Sequence, residues 1–112
     1  MKIAFTTKGT EWDSMMDPRL GRTEFILLYD DETGEFSHYD NRAIEHTAHG
    51  AGPKTVQKLL ELNPDILITG NGPGGNAAAV LKNAPLKIYI GAGEMTVKEA
   101  LSAYKNGELM SF

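Results

Sequence analysis

The stretch Asp65-Ile66-Leu67-Ile68-Thr69-Gly70-Asn71-Gly72-Pro73-Gly74-Gly75-Asn76 decides the fold. Ile66, Leu67 and Ile68 form an unbroken apolar run, as expected of a short strand covered on both faces. The run enters a turn with four glycines in the six positions from Gly70 to Gly75. The turn opens a helix of small residues, Ala77-Ala78-Ala79-Val80-Leu81. Unpaired N–H groups and partial positive charge gather at a helix start, so this corner is suited to an anion or an electron-rich cluster.

The rest of the chain supplies partners for that strand. Ile3-Ala4-Phe5 reads as a first strand, followed by a long irregular segment from Lys8 to about Arg22. Trp12, Met15 and Met16 in that segment either cover an apolar ligand or fold back on the core edge, and the second reading is favoured. Glu24–Tyr29 and Glu35–Tyr39 read as an antiparallel pair. Gly34 between them supplies the left-handed residue of a short hairpin loop. A second irregular stretch, Asn41–Gly52, holds His46 and His49. Pro53 suits the first turn of a helix with Val56, Leu59 and Leu60 at helical spacing, and Asn63-Pro64 ends it. Ala77, Val80, Leu81 and Ala84 form one face of the small-residue helix, which stops before Pro85. Leu86–Ile90 is the last expected strand. Gly91-Ala92-Gly93 then leads to a helix with Thr96 and Glu99 as a capping box and Val97, Ala100, Leu101 and Tyr104 as its buried stripe.

The order β-β-β-α-β-α-β-α predicts an α/β domain over residues 1–112: three layers, with a mixed five-stranded sheet of order 3-2-1-4-5. The loop after the first strand, the His46/His49 loop, the Gly70–Gly75 turn and the Gly91–Gly93 turn then leave one edge of the sheet. Ligands of open α/β sheets bind beyond such strand ends.

Composition narrows the function. A net charge of −4 over 112 residues argues against nucleic-acid binding, which needs a basic face. The chain has no cysteine, which excludes disulfides and protein-thiolate ligation of zinc or iron–sulfur clusters. No apolar run has membrane-spanning length and the N-terminus lacks a signal-peptide core, so the expectation is a cytoplasmic protein without membrane contact.

With this layout in place, the chain resembles the dinitrogenase iron–molybdenum cofactor biosynthesis family, whose domains carry a ribonuclease-H-like motif. The resemblance rests on Met1-Lys2-Ile3-Ala4, Leu20-Gly21-Arg22 ahead of Phe25–Asp30, His49-Gly50-Ala51-Gly52, Asp65–Gly70 with Gly72, Gly74 and Gly75, and the tail Thr96–Leu101 with Asn106–Leu109. It implies a small, non-catalytic carrier or storage protein for an iron–sulfur or iron–molybdenum-type cluster or its precursor, acting with cofactor-assembly proteins. Many relatives carry cysteine in the glycine-rich region, and an aromatic where Leu20 stands. Without cysteine, ligation falls to histidine or carboxylate, or the cluster is held by hydrogen bonds and charge.

The candidate binding residues are Arg22, His46, His49, Gly50, Gly70, Asn71, Gly72, Gly74, Gly75 and Gly93, with His49 as the candidate metal ligand. Imidazole ligates iron, copper or zinc, but two histidines need further donors to fill a site. Arg19 and Arg22, flanking Gly21, suit an anionic group. Two other readings stand beside the carrier. Gly70–Gly75 matches G-x-G-x-x-G with Glu94 further on, as in a nucleotide or phosphate site, although Pro73 removes one N–H. A pure protein-interaction domain would need no ligand. A two-metal nuclease needs carboxylates converging on the sheet, and the first strand has none. Asp13, Asp17, Asp40 and Glu94 read as solvated surface acids.

Overall fold

The computed structural model describes residues 1–45, 51–81 and 84–112. Six strands run β1 (Lys2–Thr7), β2 (Phe25–Asp30), β3 (Phe36–Asp40), β4 (Ile66–Ile68), β5 (Lys87–Ile90) and β6 (Met110–Ser111). Four helices are α1 (Arg42–Glu45), α2 (Ala51–Glu61), α3 (Gly75–Leu81) and α4 (Val97–Lys105). The sheet order is β3-β2-β1-β4-β5-β6. The order expected for the first five strands is present, and a sixth strand extends it. Met110-Ser111 is too short to carry a period-two pattern, so only its pairing with Tyr89 and Ile90 identifies it.

β1 sits at the centre because it is apolar on both sides. It runs antiparallel to β2 and parallel to β4, with Ile3, Ala4 and Phe5 opposite Ile66, Leu67 and Ile68. Alternate residues feed two cores. Ile3, Phe5, Leu27, Ile66 and Ile68 pack with Met16, Val97 and Ala100 on the α4 face. Ala4, Ile26, Leu67 and Ile88 pack with Leu20, Val56, Leu59 and Leu81 on the face of α2 and α3. The result is the expected three-layer α/β arrangement.

The long segment after β1 folds back rather than standing off. The Lys8 N–H donates to the Met15 carbonyl and the Met16 N–H to the Met95 carbonyl, while the Val97 and Lys98 N–H groups donate to Ser14 and Trp12. Trp12 stacks on Phe36 with ring centroids 4.4 Å apart and meets Tyr29 edge-on at 5.0 Å. The segment thus closes the α4 side of the core.

The helix signals hold in part. α4 has the full capping box: the Thr96 hydroxyl accepts from the Glu99 N–H and the Glu99 carboxylate accepts from the Thr96 N–H. The Thr96 backbone bond holds the Glu99 carboxyl below its ordinary range. Asn63 takes φ 56° directly before Pro64, ending α2 as the sequence suggests. In α3, by contrast, Val80 is 43% exposed although it belongs to the apolar stripe. It lies at the stripe's margin and lines an open groove with Leu60, Pro64 and Leu86. α1, which reads as irregular in sequence, starts where the Asp40 carboxylate accepts from the Arg42 N–H and pairs with its guanidinium at 2.7 Å.

That pairing sets a pH dependence. The Arg42 side chain, then its backbone N–H, pull the Asp40 carboxyl from its ordinary 3.8 to about 2. A depressed folded-state pKa contributes stability that is full above the unfolded value and lost as pH falls through the folded one. Asp40→Asn is therefore expected to lower the urea midpoint at about pH 5 and to differ progressively less from the parent towards about pH 2. A midpoint difference that stays constant over that range would show that the pair contributes nothing.

Candidate functional site

The C-terminal ends of β1 and β4 and the start of β2 meet at one edge, and polar residues there stitch the loops together. Thr6, Thr7, Asp17, Thr23 and Thr69 are all fully buried. The Thr6 hydroxyl donates to the Asp17 carbonyl at 2.8 Å and lies 2.7 Å from the Thr69 hydroxyl. The Thr6 proton is committed to Asp17, so Thr69 is the donor of the pair. The Asp17 N–H returns a bond to the Thr6 carbonyl at 2.8 Å. β1 and β4 are therefore joined through side chains to the loop that follows β1.

Asp17 is not a solvated acid. Its side chain is fully buried while that of Arg19 is 45% exposed. Oδ1 accepts from the Arg19 backbone N–H and from Nε, both at 3.0 Å. Oδ2 accepts from Arg19 Nη2 at 2.9 Å and from the Glu24 N–H at 3.2 Å. The sequence does contain a signal for this arrangement. Asp-Pro-Arg is an Asx-turn sequence, in which the acid's side chain bonds the N–H two residues on. Nothing in the local sequence reveals that the loop is buried at that point.

The glycine turn lies against this loop. A Cβ on Gly70 would fall onto the Pro18 Cα and 3.0 Å from the Gly93 Cα. Only glycine permits three backbones to approach so closely. The Asn71 N–H donates to the Pro18 carbonyl at 2.9 Å and the Gly91 N–H to the Gly70 carbonyl at 2.9 Å. The loop after β1, the Gly70 turn and the Gly91–Gly93 turn therefore share one rim.

A second cluster ties β3 and α2 to the same loop. Asn41 Nδ2 donates to the Thr23 carbonyl and to the Thr55 hydroxyl, both at 3.0 Å. The Thr55 hydroxyl donates to the Gly21 carbonyl at 2.6 Å. Asn41, Thr23 and Thr55 have no sequence motif that marks them as a network; they are polar residues at element ends.

The structure brings Gly70, Asn71 and Gly93 together. Arg22 is half-buried directly after Gly21, beside the Thr55 contact. Gly74 is exposed, with open space where a Cβ would stand, and α3 starts at Gly75. Gly72 takes φ 83°, and a Cβ there would lie 3.0 Å from the Phe112 ring. That ring covers the middle of the turn. His46, His49 and Gly50 lie outside the described residues. Among the described residues no three histidine or carboxylate side chains converge as a metal site. Among them, too, no helix is long and apolar enough to cross a membrane.

The fold and rim are those of a small open α/β binding domain, with threonine hydroxyls, backbone amides and an arginine held at the strand ends. The chain belongs to the dinitrogenase iron-molybdenum cofactor family, whose model matches residues 1–107. It is similar to the apo form of the orange protein from Desulfovibrio gigas: 30% identity, TM-score 0.91, covering 99% of this chain and 92% of that one. It is also similar to a NifB-type Thermotoga protein of the DUF35 family: 36% identity, TM-score 0.82, covering 98% and 91%. No match is found among curated proteins.

The packing at Gly70 gives a paired test. Gly70→Ala is expected to lower stability by about 1–3 kcal/mol, because Pro18 must move to admit the methyl group. Gly74→Ala, with open space around it, should stay within about 0.5 kcal/mol of the parent. Equal urea midpoints for the two variants would contradict the close approach of the loops.

Proposed function

We propose that this protein is a non-catalytic carrier that holds an anionic iron–sulfur or iron–molybdenum-type cluster, or its precursor, for delivery during metallocofactor assembly. The observation that carries the reading is the convergence of the loop after β1, the Gly70 turn and the Gly91–Gly93 turn on one rim. The family membership supports it, as does the likeness to the orange protein and to a NifB-type protein.

The cargo is held in this reading without thiolates, because the chain has no cysteine. Amide hydrogens, hydroxyls and guanidinium groups suit a sulfur-rich or oxygen-rich anion, and charge-assisted bonds are the stronger ones. Gly74 and Gly93 supply approachable backbone. Gly70, buried against Pro18 and Gly93, and Asn71, whose N–H is bonded to the Pro18 carbonyl, fix the place of the turn; Gly72 shapes it and Gly75 opens α3. Arg22 supplies charge. His46, His49 and Gly50 are assigned to the rim by their place in the sequence, after β3 and before α2. His49 is the proposed direct ligand. Cofactor-assembly proteins are the proposed partners.

Anaerobic reconstitution with iron, sulfide and molybdate tests the reading. The expected product retains metal and visible absorbance through gel filtration and loses both at high ionic strength, as a charge-held guest should. His49→Ala should weaken retention; full retention would remove that residue from the ligands. Colourless, metal-free protein after reconstitution would overturn the carrier function.

A further inference from the structure

We propose that Asp17 is the positioning residue of the rim, and that its buried carboxylate sets the Arg19 guanidinium as the fork that recognises the anionic guest. The proposal rests on the carrier reading and names the charged group at its centre. Arg19 is the one member of the pair that reaches solvent, with its side chain 45% exposed against none for Asp17. The carboxylate grips the side-on edge of the guanidinium through Nε and Nη2 at 3.0 and 2.9 Å, and the Arg19 backbone N–H at 3.0 Å. The fork is thereby fixed in plane and direction, whatever else Arg19 touches.

Asp17 is itself fixed. Its N–H and carbonyl are held by Thr6, whose hydroxyl receives the Thr69 bond, and the next residue, Pro18, lies against Gly70 and Gly93. A chain of contacts thus runs from the two central parallel strands to the guanidinium plane. A planar fork held this way suits oxyanions and thioanions of a metal, to which arginine binds through paired N–H groups. A flexible ammonium cannot reproduce it. The ordering is done during folding, so the guest does not have to immobilise the side chain.

The test separates positioning from charge by sign. Asp17→Asn removes a negative charge beside the anion site, so Coulomb's law alone predicts tighter anion binding. Positioning predicts the reverse, because the amide NH₂ faces the Arg19 Nη2 and Glu24 N–H donors and releases the fork. Affinity for tetrathiomolybdate, measured by calorimetry at fixed ionic strength, is expected to fall about tenfold in Asp17→Asn, a typical loss when a paired charged contact is loosened. Arg19→Lys should weaken it similarly, and should also lower the urea midpoint, because the buried carboxylate loses its paired donors. In an Arg19→Gln background, Asp17→Asn should produce no further weakening, since coupled residues are non-additive.

Unchanged or tighter binding in Asp17→Asn, with parent binding intact, would overturn the positioning role and leave the carrier reading standing. A parent protein that binds neither tetrathiomolybdate nor a reconstituted cluster would overturn both. Should Asp17→Asn fail to fold, Arg19 Nε–H relaxation in the parent decides. Order matching the backbone amides is expected; rapid side-chain motion would sink the proposal.

Discussion

A carboxylate with no exposed surface needs donors on both oxygens, and Asp17 obtains them only if the chain on either side of it folds in one way. Arg19 must turn back to give its backbone and side-chain N–H groups, and Glu24 must arrive with its own N–H. These demands convert a segment rich in loop formers into a fixed strap between β1 and β2. The strap is anchored from below by Thr6 in β1 and Thr69 directly after β4, one hydroxyl from the end of each of the two adjacent parallel strands. Because the guanidinium partner remains half in water, the pair avoids the full desolvation cost of a buried ion pair. The loop is structured by its polar groups as much as by the apolar packing of Trp12 and Met16.

The sheet explains why such a strap sits where it does. β1 and β4 are parallel and apolar on both faces, so their ends open at the same edge and the polar residues of the region concentrate there. Gly70 lets the chain leave β4 without a side chain between it and Pro18. A longer side chain would push the two turns apart and open the rim. Phe112, directly after β6, lies against Gly72 of the same turn. The sheet edge therefore combines a rigid floor with approachable backbone, an arrangement suited to guests held by hydrogen bonds and charge.

Most of the fold is legible in the sequence because its signals are local. The apolar triplets at Ile3–Phe5 and Ile66–Ile68, the Asn63-Pro64 stop and the Thr96–Glu99 box each declare an element and its limits. The order of elements then fixes the parallel half of the sheet. β6 is not legible, since two residues carry no period and depend on the partner strand. Val80 misleads, because a helix of seven residues has a narrow buried stripe and Val80 stands at its margin. For the site, the glycines and their common edge follow from topology, whereas the burial of Asp17 does not. An acid beside a proline and an arginine in a loop looks solvated until the packing of Gly70 and Gly93 against that loop is known. The Asn41–Thr23–Thr55 network is hidden for the same reason: its members are far apart in sequence and individually ordinary.

The rim depends on the contact of the loop after β1 with the turn after β4. The most direct measurement is the proton–proton Overhauser effect between the Hα atoms of Gly70 and those of Pro18 and Gly93 in isotope-labelled protein. Strong cross-peaks to both residues are predicted, because no side chain separates these backbones. Absence of both, in otherwise assigned and folded protein, would place the loop and the turn apart and remove the rim.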